Sequence, residues 1–306
     1  MAAATAGAVL CCAAAYDART LFNQLESGDL EERQEAAEKI EKIVHEGNYD
    51  VFMRGIESPV KTTRAPSIIY LSRMTQPKAR EALRDLLRVE KRSQIPFNPI
   101  RMKPSSEEAD SRILVAHLIA ENGGDPGAVE ALIAGMEGQP PDVLEGTCYA
   151  LGALRDPKGI PFLATAVRHK DVVVVRAAVQ AIGIFHTPEA SDLLKSMAGH
   201  PSEDVRSEVL SALQVQADPS IVEILETMAA TDPSPDLRVA AMGQLGRFKD
   251  RSPVPFLIDQ LKGKDDANRR AALDTLRLLS GQSFGPRPEP WARWWEQNQK
   301  PALARP

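Results

Sequence analysis

The sequence predicts an all-α solenoid of about eight stacked helix pairs, and two independent periodic signals carry that prediction. The first is a set of equivalent points at Arg33, Arg64, Ser111, Leu144, Val175, Arg206, Arg238 and Arg269, separated by 31, 47, 33, 31, 31, 32 and 31 residues. Seven residues beyond each stands an aliphatic side chain: Ile40, Leu71, Leu118, Leu151, Ile182, Leu213, Leu245 and Leu276. The second is a set of short polar cap residues, Asp125, Asp156, Thr187, Asp218 and Asp250, spaced by 31, 31, 31 and 32. A fixed period of this size is the signature of stacked helical repeats, each unit burying its apolar face on its neighbours.

Composition agrees with that reading. Hydrophobic residues make up 43% of the 306-residue chain and aromatics 5%, which suits helices packed through Leu, Ile, Val and Ala. The formal net charge of −5 argues against a broad nucleic-acid footprint, which needs a basic face. Three cysteines, Cys11, Cys12 and Cys148, form neither a disulfide framework nor a metal-ligand spacing. Cys148 falls in helical register beside Tyr149 and Leu151 and reads as a small buried hydrophobe. No stretch reaches the roughly 20 apolar residues that span a bilayer.

Along the chain, residues 1–15 (MAAATAGAVLCCAAA) carry no charge and two readings. Ala13-Ala14-Ala15 offers a signal-like cleavage site before Tyr16, which implies export. The basic start of such signals is missing, which favours a plain Ala-rich beginning and a cytoplasmic chain. The solenoid is expected over 16–295, with 296–306 as a tail. Asp17–Glu26 reads as a lone helix closing the first hydrophobic face. The regular first helices follow polar or proline-marked boundaries such as Pro140-Pro141-Asp142 and Pro201-Ser202-Glu203-Asp204, with apolar positions at i, i+4 and i+7 or i+8. Second helices begin at the caps, four of which precede a proline (Pro126, Pro157, Pro188, Pro219) that loses no bond at the first helical position.

The long interval between Arg64 and Ser111 holds an insertion over 89–106, where Pro96, Pro99 and Pro104 forbid a continuous helix. Its cationic residues and Phe97 make it the most individual stretch of the sequence. At the far end Trp291, Trp294 and Trp295 lie at i, i+3 and i+4 and are expected to cover the last face of the stack.

The units resemble HEAT repeats of the short bacterial, phycobilin-lyase-like type. Asp204-Val205-Arg206 with Leu210-Ser211-Ala212-Leu213 carries the likeness, as do Asp236-Leu237-Arg238 with Ala240-Ala241 and Leu151-Gly152-Ala153-Leu154-Arg155-Asp156-Pro157. The closing segment from Ser280 to Trp295 is similar to one that ends many such chains. The resemblance implies a right-handed, armadillo-like superhelix and protein binding. It is specific for fold and not for function. The sequence departs from the pattern where Ser111, Leu144 and Val175 replace the anchor arginine, and where Pro66 falls inside a first helix.

Related helical-repeat families include enzymes, so each chemistry was weighed on the residues. Deoxyhypusine hydroxylases hold a di-iron centre through recurring His-Glu pairs, whereas this sequence has the single pair His45-Glu46. Repeat-built DNA glycosylases need a basic face, and bilin lyases need a tetrapyrrole grip that no residue set here suggests. His169 and His200 lie 31 apart in equivalent loops, about 10 Å from one another by repeat width, and lack further ligands for a metal. No nucleophile triad, phosphate loop or HExxH is present. The expectation is therefore a monomeric, cofactor-free and non-catalytic scaffold binding a protein or peptide. An accessory or bilin-lyase-like protein gripping a small cofactor is the alternative. Candidate contacts are Arg92, Phe97, Arg101 and Lys103 in the insertion, with Lys158 and Arg168 on a second helix. Nucleic acid is not an expected partner.

Overall fold

The computed structural model describes residues 17–98, 103–214, 221–250 and 252–298, and the side chains of 97–98 and 103–107 fall outside that description. The expectations for residues 1–15, for Arg101 and Asp218 and for most of the tail thus lie outside the described residues, as do those for the side chains of Phe97 and Lys103. The fold is all-α and built of HEAT-like helix pairs, as predicted: seventeen α-helices and one short hairpin are present among the described residues. None of these helices is long and apolar enough to cross a membrane. The chain divides into two compact units, 1–162 and 163–306.

The first unit opens with α1 (Ala18–Leu25), α2 (Leu30–Glu46), α3 (Asp50–Ile56), α4 (Lys61–Ser72) and α5 (Pro77–Asp85). The lone helix α1 closes the hydrophobic face by burying Ala18, Leu21 and Phe22. Phe22, Phe52 and Tyr70 form a stacked trio with ring centroids 5.6–6.5 Å apart. Pro66 is accommodated inside α4, where the Thr62 carbonyl forgoes its i+4 donor. A hairpin follows, β1 (Gln94–Asn98) and β2 (Lys103–Asp110), then α6 (Ser111–Glu121), α7 (Ala128–Ile133) and α8 (Pro141–Leu154). Helix α9 (Ile160–Ala166) carries the boundary between the units.

The second unit alternates first and second helices: α10 (Val172–Ile182), α11 (Pro188–Met197), α12 (Glu203–Leu213), α13 (Ile221–Thr231), α14 (Pro235–Leu245), α15 (Val254–Gln260), α16 (Asp266–Ser280) and α17 (Pro288–Asn298). Thr187 caps α11 through the Ala190 amide, and Asp156 and Asp250 take the amides of Lys158 and Ser252 at the turns before their helices. Trp291 is fully buried on α17, donates Nε1–H to the Gly285 carbonyl at 2.9 Å and meets Phe284 edge-on. Trp294 and Trp295 are half-buried.

The anchor positions explain why the repeat needs arginine. Arg33, Arg64, Arg206, Arg238 and Arg269 each donate to the backbone carbonyl six residues earlier, on Ser27, Ser58, His200, Asp232 and Gly263, at 2.6–2.9 Å. One guanidinium therefore holds the loop that enters its own helix. Two of them, Arg206 and Arg238, also reach the next repeat. Arg206 makes two bonds to Asp232, at 2.9 and 3.1 Å, and Arg238 reaches Asp265 at 2.7 Å. Asp232 in turn accepts the Ser234 amide before α14, and Asp265 caps α16 through the amides of Ala267 and Asn268.

The aliphatic residue seven beyond the anchor is buried in every unit except the third, where Leu118 is half-buried and Ile119 takes its place in the core. The sequence register there is corrected by one residue. The anchor arginine of that unit is not lost at Ser111; it is Arg112, fully buried.

Asp265 supplies a test of this linkage. The Asn268 amide and the Arg238 guanidinium hold its carboxyl below the usual aspartate range. A group whose folded pKa is depressed contributes stability that is present above its ordinary pKa and lost as pH falls through the folded value. Asp265→Asn should lower the urea midpoint at neutral pH, and the gap to the wild type should close on acidification below the ordinary carboxylate range. A gap that stays constant with pH would contradict the assignment.

Candidate interaction surface

The insertion read from the sequence is a β-hairpin, which the all-α expectation did not contain. Strands β1 and β2 pair antiparallel from Gln94 opposite Asp110 to Asn98 opposite Lys103, with a shift of register between Pro96 and Phe97. Pro96 and Pro104 are tolerated because a two-stranded sheet leaves one side of each strand without ladder bonds. Ile95 is fully buried against the helices, and Lys61 on α4 meets Glu108 at 2.8 Å.

The base of the hairpin is fixed by charge. Asp110 receives Arg92 at 3.0 Å, Arg112 at 2.7 Å and the Arg112 amide at 2.9 Å, with only 5% of its side chain exposed. Arg112 also donates to Thr147 and to the Val143 carbonyl of α8, at 2.9 and 3.0 Å. A charge taken out of water is tolerable only when its lone pairs and protons are met in this way. Arg92 continues to Asp142 at 3.1 Å. This candidate contact residue is thus committed to the fold, joining the hairpin to α8.

The remaining candidates differ. Lys158 is 58% exposed and its ion pair with Glu130 is long, 3.6 Å. Arg168 is exposed just beyond α9 and forms no ion pair with a described residue. Each belongs to its own unit.

The histidine pair has a structural use. His169 and His200 accept, at Nδ1, the amides of Asp171 and Ser202 two residues on, both at 3.1 Å. Asp232 does the same for Ser234 one repeat later. The three side chains therefore occupy one equivalent loop position and share one task, closing the turn before a first helix. Cys148 is fully buried, and burial pushes its thiol up to about 12, far from a reactive thiolate.

His45 and Glu46 end α2 exposed, with Glu46 facing Lys42. Among the described residues no group of three or more His, Cys, Asp or Glu side chains converges as metal ligands.

Sequence reasoning missed Arg112, Asp110 and Gly146 as a set. Their signal was the Asp-x-Arg of residues 110–112, one position out of the assumed register. Gly146 on α8 faces the carboxylate so closely that a Cβ there would overlap Oδ2 of Asp110 and crowd the Arg112 guanidinium.

A family model for HEAT repeats matches residues 129–214 and 222–285. A deoxyhypusine hydroxylase of Rattus norvegicus is 27% identical over 133 residues, 42% of this chain and 43% of that protein. The chain therefore matches less than half the length of this curated relative. Human deoxyhypusine hydroxylase in complex with glycerol aligns at 15% identity with a TM-score of 0.37, over 87% of this chain and 96% of the other. The CpcE–CpcF complex of phycocyanin lyase from Nostoc aligns at 17% identity and 0.35, over 87% and 94%. Kap95p, from a structure with RanGDP, aligns at 14% identity and 0.44, over 94% and 35%. At these identities the structural likenesses speak to the fold alone. The sequence relative corrects the expectation of a non-catalytic protein, since that relative is an enzyme by name.

Gly146→Ala should destabilise the protein by about 1–3 kcal/mol, because an added methyl in a filled space forces its neighbours apart. Urea unfolding measures this. A midpoint equal to that of the wild type would show that the Asp110 cluster does not need the space.

Proposed function

We propose that this chain, a HEAT-repeat protein, works by holding a polypeptide partner through Lys158 and Arg168, on either side of α9, and through the insertion sequence. Repeats that touch only their neighbours leave the outward positions free to vary without loss of fold, which is how such stacks acquire binding faces. One observation carries the reading. The anchor arginines Arg206 and Arg238 are spent inside the structure, on carbonyls and carboxylates, whereas Lys158 and Arg168 stay exposed with a weak ion pair or none. An acidic or carbonyl-rich segment is the complement of such guanidinium and ammonium groups. Arg101 and Lys103 extend the same chemistry along the hairpin sequence.

A second reading has the enzyme relative in its favour: a chain that takes part in hydroxylating a deoxyhypusine-bearing protein. Turnover of such a substrate by the purified chain would establish it.

The binding reading is tested by placing a photo-cross-linking amino acid at position 158 or 168 in cells. It expects adducts with one defined polypeptide, absent when the probe sits at the exposed Glu38. Lys158→Glu and Arg168→Glu should each weaken the purified complex by about fivefold or more, and Arg101→Glu with Lys103→Glu likewise. Adducts no more frequent than at Glu38 would refute the assignment of these surfaces.

A further inference from the structure

A cleft in the first unit has the chemistry of a binding site, and we infer that it takes an aliphatic carboxylate. The cleft has a volume of about 160 Å³ and lies between the end of α4, helix α5 and the end of α6. Its floor is apolar, with Met74, Leu83 and Ile119 contributing side chains that are 3–5% exposed. Two arginines stand at its rim, Arg73 and Arg80.

The charges around it do not cancel locally. The one carboxylate in the lining, Asp125, is already answered: Arg84 reaches it at 2.8 and 2.9 Å, and the Gly127 amide at 2.9 Å. That bond holds the Arg84 proton above its ordinary range. Arg73 is steadied by Glu41 at 2.8 Å and by the Tyr70 ring, 5.4 Å from its guanidinium carbon, and keeps further donors of its five. Arg80 is exposed and forms no ion pair with a described residue. A guanidinium above an apolar floor recognises an anion that carries a hydrocarbon body, and its planar fork matches a carboxylate. The opening beside Gly124 has positive φ and no side chain to obstruct it.

Such a head group comes from two sources, a free branched-chain acid or the C-terminal leucine of a peptide. Four probes separate them in ligand-observed NMR titrations of the full chain: 4-methylpentanoate, its neutral amide, and the peptide Gly-Ser-Gly-Leu with a free or an amidated C-terminus. Saturable binding of the carboxylate forms and not of the amides is expected. Arg80→Gln should weaken the carboxylate forms by about tenfold or more, the loss of one charge-assisted bond, while Arg80→Lys, which keeps the charge and loses the fork, should fall between the two. Tighter binding of the free peptide than of the acid assigns the site to chain ends. Equal or tighter binding of the acid assigns it to small carboxylates. Equal binding of acids and amides, no saturation, or indifference to Arg80→Gln would overturn the inference. Cross-linking at positions 158 and 168 is unaffected by Arg80→Gln, so the two readings stand or fall separately.

Discussion

In five of the eight repeats one guanidinium ties the entering loop to its own first helix. A first helix must start at a defined point, and its entering loop exposes carbonyls that no helix satisfies. In those five repeats the arginine folds back to one of these, six residues upstream, so the loop and the helix it precedes become one rigid piece. Arg206 and Arg238 then reach the aspartate that closes the turn of the following repeat. The Arg206–Asp232 pair is nearly dry, with 6% and 1% of the side chains exposed. A buried charge with two bonds to its partner and others to carbonyls is well met, and one deprived of its partner is not. The period is therefore an electrostatic constraint as much as a hydrophobic one. The aliphatic residue seven positions on fills the core, while the arginine sets how that core is placed against its neighbour.

This division accounts for what the sequence disclosed and what it hid. Aliphatic anchors and caps are local: Leu213 follows Arg206 at helical spacing, and Thr187 precedes Pro188, so both could be read without coordinates. The partners of the arginines are not local. Asp232 lies 26 residues beyond Arg206, and nothing in its own neighbourhood distinguishes it from any other turn aspartate. The histidines show the same limit from the other side. His169 and His200 look like a ligand pair when counted along the chain, yet their shared position is that of Asp232, and each serves its own loop. The hairpin was hidden because prolines exclude a helix without specifying a strand. The one-residue slip at Ser111 arose there, since the count had to cross the insertion before meeting Arg112.

The candidate surfaces follow from the same logic of commitment. Arg92 was legible as a cation in an unusual segment, but Asp110 and Asp142 hold it, so it positions the hairpin. Lys158 and Arg168, expected on a second helix, lie just before and just beyond α9 and are exposed. The cleft beneath Arg80 was not legible at all, because its floor comes from three helices and its charge depends on Asp125 being neutralised by Arg84. Kinship to an enzyme over part of the chain coexists with described residues that do not gather metal ligands. A helical-repeat frame can be shared between proteins whose sites differ, since fold and site are set by different residues.

The central claim is that the arginine rung couples neighbouring repeats. The direct measurement is a double-mutant cycle on Arg206→Met and Asp232→Asn by urea unfolding. Each single change should cost about 3–5 kcal/mol, because it leaves the other partner buried and unmet. The double variant should cost little more than either alone, giving a coupling of about 2 kcal/mol or more. Additive costs, with coupling under about 0.5 kcal/mol, would contradict the account and leave the period to apolar packing alone.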